Sequence, residues 1–116
     1  MEDETRREVV NSVKEIIIEN IHAARFREIV DLLEKKTGYS YSYIRTIFRE
    51  FEKETPHQLF QREKLEEAKV QLRNTSYPIW EISNKLGFQY KYYFTRWFKR
   101  HTDCTPTEWR KNNQKV

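Results

Sequence analysis

The chain has 116 residues, of which 34% are charged and 15% aromatic, and a formal net charge of +4. That length suits one domain, or two very small ones sharing an element, and the aromatic content is enough for a compact core, which excludes wholesale disorder. The single Cys104 excludes an internal disulfide, and the longest aliphatic run, Ile16 to Ile18, is too short to span a bilayer. The start MEDETRREVV lacks the apolar stretch of a secretory signal, so a reducing, cytoplasmic setting is expected.

Helical periodicity runs through the whole chain, and β-branched residues never alternate over a useful length. Val9, Val13, Ile16 and Ile17 predict a first helix near 6–20, preceded by an acidic tail, Glu2 to Glu4, expected to be disordered. Ile29, Leu32 and Leu33 predict a second helix near 27–36, closed by Gly38. Ser40 is a suitable N-cap for a third helix near 41–52, with an apolar stripe of Ile44, Ile47, Phe48 and Phe51. Thr55-Pro56 starts a fourth near 56–73, with Leu59, Leu65, Ala68 and Leu72 turned inward. After a break at Asn74 to Pro78, a fifth helix near 79–86 buries Ile79, Ile82 and Leu86 and ends at Gly87. A sixth near 90–101 buries Phe94, Trp97 and Phe98, with Gln89 as a poor N-cap. Thr105-Pro106 starts a short seventh helix carrying Trp109, and the polar tail Lys111 to Val116 is expected to fray. The fold class is therefore all-α: about seven helices in two helix-turn-helix units joined by a linker helix, with boundaries at 6–54, 55–74 and 75–112.

The two units form an internal repeat. Gly38-Tyr39, Tyr43-Ile44-x-x-Ile47-Phe48 and Thr55-Pro56 in the first half match Gly87-Phe88, Tyr93-Phe94-x-x-Trp97-Phe98 and Thr105-Pro106 in the second. The offset is 50 from the tyrosines onward and 49 at the glycines, so the second unit has one extra residue between its turn and its next helix. A helix, a glycine turn and a second helix is the helix-turn-helix layout.

Charge is distributed unevenly. Residues 1–34 hold nine acids and five bases, whereas residues 35–116 hold nine acids and seventeen bases. An excess of this kind is what a surface facing nucleic acid produces. On the third helix, Tyr41, Ser42, Arg45, Thr46 and Arg49 lie off the core stripe; on the sixth, Lys91, Tyr92, Thr95, Arg96 and Lys99 do so. Each set describes one helical face. Arg can take guanine in two hydrogen bonds, Thr can meet a thymine methyl, and Tyr and Lys can reach phosphate. The stretch 89–101 contains no acid. No nucleophile–base pair and no phosphate-cradling loop is evident, and His101 with Cys104 makes two ligands, not a metal site, so neither catalysis nor a metal or cofactor is expected.

The second unit, with Ile79, Ile82, Gly87-Phe88, Tyr93-Phe94, Phe98-Lys99-Arg100, Thr105-Pro106 and Trp109-Arg110, resembles the signature of the AraC/XylS family of bacterial transcription activators. The first unit matches through Gly38-Tyr39-Ser40, Tyr43-Ile44 and Phe48-Arg49, and the linker through Lys64-Leu65-Glu66-Glu67-Ala68. The likeness covers about residues 9–112. With no room for an effector-binding domain, the chain is similar to the short stand-alone members, of the MarA, SoxS and Rob type; the other reading is a DNA-binding domain cut from a longer regulator. It departs from the pattern at Ser83, where Ala is usual, at Lys64, where Arg is frequent, and at Lys53 and Asp103, where Gly is frequent.

The resemblance implies a nucleoid-associated regulator of transcription that binds duplex DNA, with RNA polymerase as a further partner. A fourth helix of about 18 residues is roughly 27 Å long, so one monomer could read two successive major grooves of an asymmetric site. The alternative is a helix-turn-helix module that binds RNA polymerase or another regulator without reading DNA.

Overall fold

The computed structural model describes residues 2–114. Among them are seven helices and no strand: α1 Glu2–Glu19, α2 Phe26–Thr37, α3 Tyr41–Glu52, α4 Pro56–Asn74, α5 Ile79–Lys85, α6 Lys91–Thr102 and α7 Pro106–Asn113. The chain divides into two compact units, and the division falls between Glu63 and Lys64, inside α4. The helix expected as a separate linker is thus shared: Leu59 and Phe60 belong to the first core, Ala68 and Leu72 to the second.

In the first unit, α1 contributes Val10, Val13, Ile16 and Ile17 to the core, α2 Ile29 and Leu33, and α3 Ile44, Ile47 and Phe48. Val10 is fully buried while Val9, expected inward, only packs on the edge. α1 begins at Glu2, so the acidic start expected to be disordered is helical backbone; Met1 lies outside the described residues. Lys14 pairs with Glu52 at 3.0 Å, Arg6 pairs with Glu50, and the Arg7 guanidinium lies 4.9 Å from the Phe51 ring centre. Surface ion pairs are worth less than about 1 kcal/mol each, against about 1.5–3 kcal/mol for each large apolar side chain fully buried. Val10, Val13 and Ile17 therefore hold α1 in place, and the surface charges add little to that.

The second unit buries Ala68, Leu72, Ile82, Leu86, Phe94 and Phe98. Trp97 is only half-buried, its ring against Phe88 at 5.2 Å and His101 at 5.1 Å. Lys64 is buried, its ammonium 5.1 Å from the Phe88 ring centre. Ser83 is fully buried, and its hydroxyl has no hydrogen-bond partner. From α7, Arg110 reaches back to the end of α4. Its Nε donates to the Leu72 carbonyl at 3.0 Å and its Nη2 to the Thr75 carbonyl at 3.4 Å. Gln114 donates to the same Thr75 carbonyl at 3.1 Å, so the tail expected to fray from Lys111 stays ordered through Gln114; residues 115 and 116 lie outside the described residues.

The stops and starts repeat between units. α3 and α6 both end in a non-glycine residue with left-handed backbone, Lys53 at φ 61° and Asp103 at φ 64°. Each cap N–H donates to a carbonyl four residues back, Arg49 at 3.0 Å and Lys99 at 2.8 Å. The next helix then starts alike. The Thr55 and Thr105 hydroxyls accept from the N–H of Gln58 and Glu108, and those two side chains accept from the threonine N–H groups at 2.8 and 2.9 Å. One box is closed by a neutral amide and the other by a carboxylate. The Thr105 N–H, then its hydroxyl, hold the Glu108 carboxyl below its ordinary range.

Three outcomes follow from these contacts. Replacing Lys53 by Gly relieves a left-handed lysine and should stabilise the protein by about 1 kcal/mol, read as a rise in the urea midpoint followed by helical circular dichroism. Ser83→Ala removes a buried, unpartnered hydroxyl and should stabilise the second unit by about 1 kcal/mol. Tryptophan emission reads that change selectively, because Trp80, Trp97 and Trp109 all lie in that unit. For Glu108 the folded carboxyl is the more acidic, so its contribution is complete above the ordinary carboxylate range and lost as pH falls through the lowered value. Glu108→Gln should therefore flatten the acid limb of a stability–pH profile, and an unchanged limb would show that the carboxylate contributes nothing.

Candidate nucleic-acid interface

The α2–α3 turn is built by backbone chemistry. Gly38 takes φ 79°, and its N–H closes α2 on the Glu34 carbonyl at 2.9 Å. No neighbouring atom would meet a Cβ at Gly38, so backbone conformation alone favours glycine there. Ser40 caps α3 by accepting from the Tyr43 N–H at 3.3 Å, and the Glu34 carboxylate accepts from the Tyr41 N–H at 2.7 Å. Glu34 thus fixes the first turn of α3 from the preceding helix, a role that sequence pattern alone did not suggest. In the second unit the extra residue moves the N-cap of α6 to Tyr90, not Gln89, and no side chain caps it.

Buried stripes anchor the inner sides of α3 and α6, and most of the expected face residues point away from them. Ser42, Arg45, Thr46 and Arg49 are exposed on α3, and Lys91, Tyr92, Arg96 and Lys99 on α6. Thr95 is half-buried. Tyr41 departs from the expectation that it lies off the core stripe: it is half-buried and packs on the first core, its ring edge-on to Phe26 at 5.9 Å. Burial pushes its phenol above the ordinary value, an effect partly offset by the charge of Arg45. The exposed Thr46 donates its hydroxyl to the Ser42 carbonyl at 3.0 Å.

Neither α3 nor α6 has an acid in its first turn, and Lys99, Arg100 and His101 crowd the last turn of α6. Among the described residues, no carboxylate lies within ion-pair distance of Arg45, Arg49, Lys91, Arg96, Lys99 or Arg100. The acids elsewhere are engaged otherwise: Glu50 and Glu52 by α1, Glu54 by Arg62 at 2.6 Å. Each face therefore offers positive charge beside hydroxyls with no direct ion pair among the described residues, although Asp103 lies beside Arg96, Lys99 and Arg100 and the charge of Lys99 reaches Glu108; the combination suits phosphate and base edges.

Exposed aromatics beside these faces escaped the sequence reading. Tyr39 and Tyr43 pack at 5.0 Å in the first unit, and Tyr90 and Tyr93 at 5.9 Å in the second. Tyr43 and Tyr93 mark the repeat, and their place at the border of stripe and face was the available signal. Among the described residues no three His, Cys, Asp or Glu side chains converge as metal ligands, and no helix is long and apolar enough to cross a membrane.

The helix-turn-helix domain family matches residues 33–112. Regulatory protein SoxS of Salmonella typhimurium is 36% identical over 81 residues, covering 70% of this chain and 76% of that protein. The C-terminal domain of AraT, a response regulator from Geobacillus stearothermophilus, shares the fold at a TM-score of 0.84 and 18% identity, over 93% of this chain and 88% of that one. The DNA-binding domain of the transcriptional factor AdpA, solved with a target DNA, does so at 0.75 and 19%, over 89% and 90%. The chain belongs to the AraC/XylS family of helix-turn-helix DNA-binding transcription regulators, a family of regulators and not of enzymes.

Proposed function

We propose that the chain reads a specific, asymmetric duplex site as a monomer, with α3 and α6 each entering one of two successive major grooves, and that it activates transcription by contacting RNA polymerase. The observation that carries this reading is the pair of anchored basic faces, free of direct ion pairs among the described residues, whose residues differ. Ser42, Arg45, Thr46 and Arg49 differ at every matching position from Tyr92, Thr95, Arg96 and Lys99, so the two helices present different sequences of contacts. Two unlike readers on one chain need no two-fold symmetry in the DNA. Arg45, Arg49, Arg96 and Lys99 supply much of the affinity, and Ser42, Thr46, Lys91, Tyr92 and Thr95 much of the choice of sequence. Tyr41 serves mainly as packing, with its hydroxyl end available to the DNA backbone. The solved complex of AdpA with its target DNA supports duplex DNA as the partner, and the family supports a cytoplasmic, nucleoid-associated setting.

Selection from random duplex DNA at near-physiological salt tests this. Two different short blocks about one turn apart, bound one protein per site, are the expected result; a palindrome bound only by a dimer would overturn it. No DNA binding, with retention on RNA polymerase, would make the chain a protein-interaction module. In a salt titration, Arg49→Ala and Lys99→Ala should each weaken all sequences alike and lower the log–log slope by about 1. Arg96→Ala should instead cost about 1–3 kcal/mol at one base pair.

A further inference from the structure

α6 carries a run of exposed tyrosines that ends on its central arginine. Tyr90 packs against Tyr93 at 5.9 Å, and Tyr93 meets Tyr92 edge-on at 5.7 Å. The Tyr92 ring in turn has the Arg96 guanidinium 5.6 Å from its centre, and Arg96 Nη1 lies 3.5 Å from the Tyr92 hydroxyl. Tyr92 is 62% exposed, so this ring is not part of the core; it stands on the surface one helical turn before the arginine it touches. At the matching positions of the first unit, 50 residues earlier, stand Ser42 and Thr46, where the small hydroxyl turns back to its own backbone. On α3 the tyrosine one turn before an arginine is Tyr41, before Arg45; its ring packs on the core, and among the described residues no ring contact to Arg45 matches that of Arg96 with Tyr92.

We infer that Tyr92 is a positioning residue that holds the Arg96 guanidinium in one orientation, making α6 the guanine-discriminating reader of the pair. Arginine distinguishes guanine by a bidentate contact to O6 and N7, which demands a defined plane. A long side chain otherwise loses rotamer freedom on binding, and restricting it beforehand recovers that loss. The aromatic face restricts it without neutralising it, as a carboxylate would. The part of Tyr92 in the choice of sequence then runs through Arg96 and not through a base contact of its own. This inference rests on the DNA-reading proposal above.

The test compares wild type with Tyr92→Leu, Tyr92→Phe and Arg96→Ala, in selection from random duplexes and in the relaxation of the Arg96 Nε–Hε group in the free protein. Wild type should prefer guanine at one position, and Arg96→Ala should identify that position by losing the preference there. Tyr92→Leu should lower guanine discrimination at the same position by about 3- to 10-fold, leave the salt slope unchanged, and loosen the Arg96 Nε–Hε group. Tyr92→Phe, which keeps the ring, should retain most of both. Equal weakening on all sequences by Tyr92→Leu would make Tyr92 a phosphate contact, and lost preference at a different base pair would make it a reader; either overturns the inference while the DNA-reading proposal stands. An Arg96 group equally mobile in wild type and Tyr92→Leu also overturns it. If wild type enriches no sequence at all, the DNA-reading proposal fails, and the inference with it.

Discussion

Burial of one side of α3 and one side of α6 governs what the opposite sides can present. Ile44, Ile47 and Phe48 are at most 2% exposed, and Phe94 and Phe98 are fully buried. A short helix is marginal in water by itself, so the orientation of Arg45 or Arg96 is set by the apolar residues one or two positions away. Because core packing is close and discrete, an anchored helix cannot rotate gradually about its axis. The outward residues thereby gain a fixed azimuth, which is the first requirement for reading a groove.

The two units meet this requirement with common devices and unlike details. Three helix ends use a threonine in the same manner: the hydroxyls of Thr37, Thr75 and Thr102 donate to a carbonyl four residues back and accept from the N–H two residues on. One side chain thus satisfies a late helical carbonyl and catches the departing strand of backbone. The helix starts differ more. α3 is capped by Ser40 and by Glu34, while α6 begins without a side-chain cap after its extra residue, its Tyr93 N–H donating to the Tyr90 carbonyl. The two units thus share the devices that end their helices and differ in how α3 and α6 begin and in the residues that face outward.

Much of this was legible in the sequence because rare residues carried it. Six of the seven helix starts fall within about a residue of expectation: the Thr-Pro pairs place α4 and α7, the Ser40 cap and the break at Asn74 to Pro78 place α3 and α5, and apolar periodicity places α2 and α6. The start of α1 was missed because its first turn carries no apolar stripe; Val10, Val13 and Ile17 anchor the helix further on. Tyr41 was misplaced because periodicity counts it off the stripe, while Phe26, just before α2's own stripe, provides the ring it packs against. The contacts of Glu34 and Arg110 depend on residues 7 to 38 positions apart, which no local pattern encodes.

The contact from Arg110 to Leu72 and Thr75 also has a meaning for the order of synthesis. A chain emerging from the ribosome has all the core residues of its first unit once Phe60 is free, and domains of nascent chains fold as units from the amino terminus. The second unit must wait longer: the last carbonyls of α4 find their donors only when residue 110 has emerged. The two-groove reading proposed above, which needs both units, therefore waits until translation has passed α7.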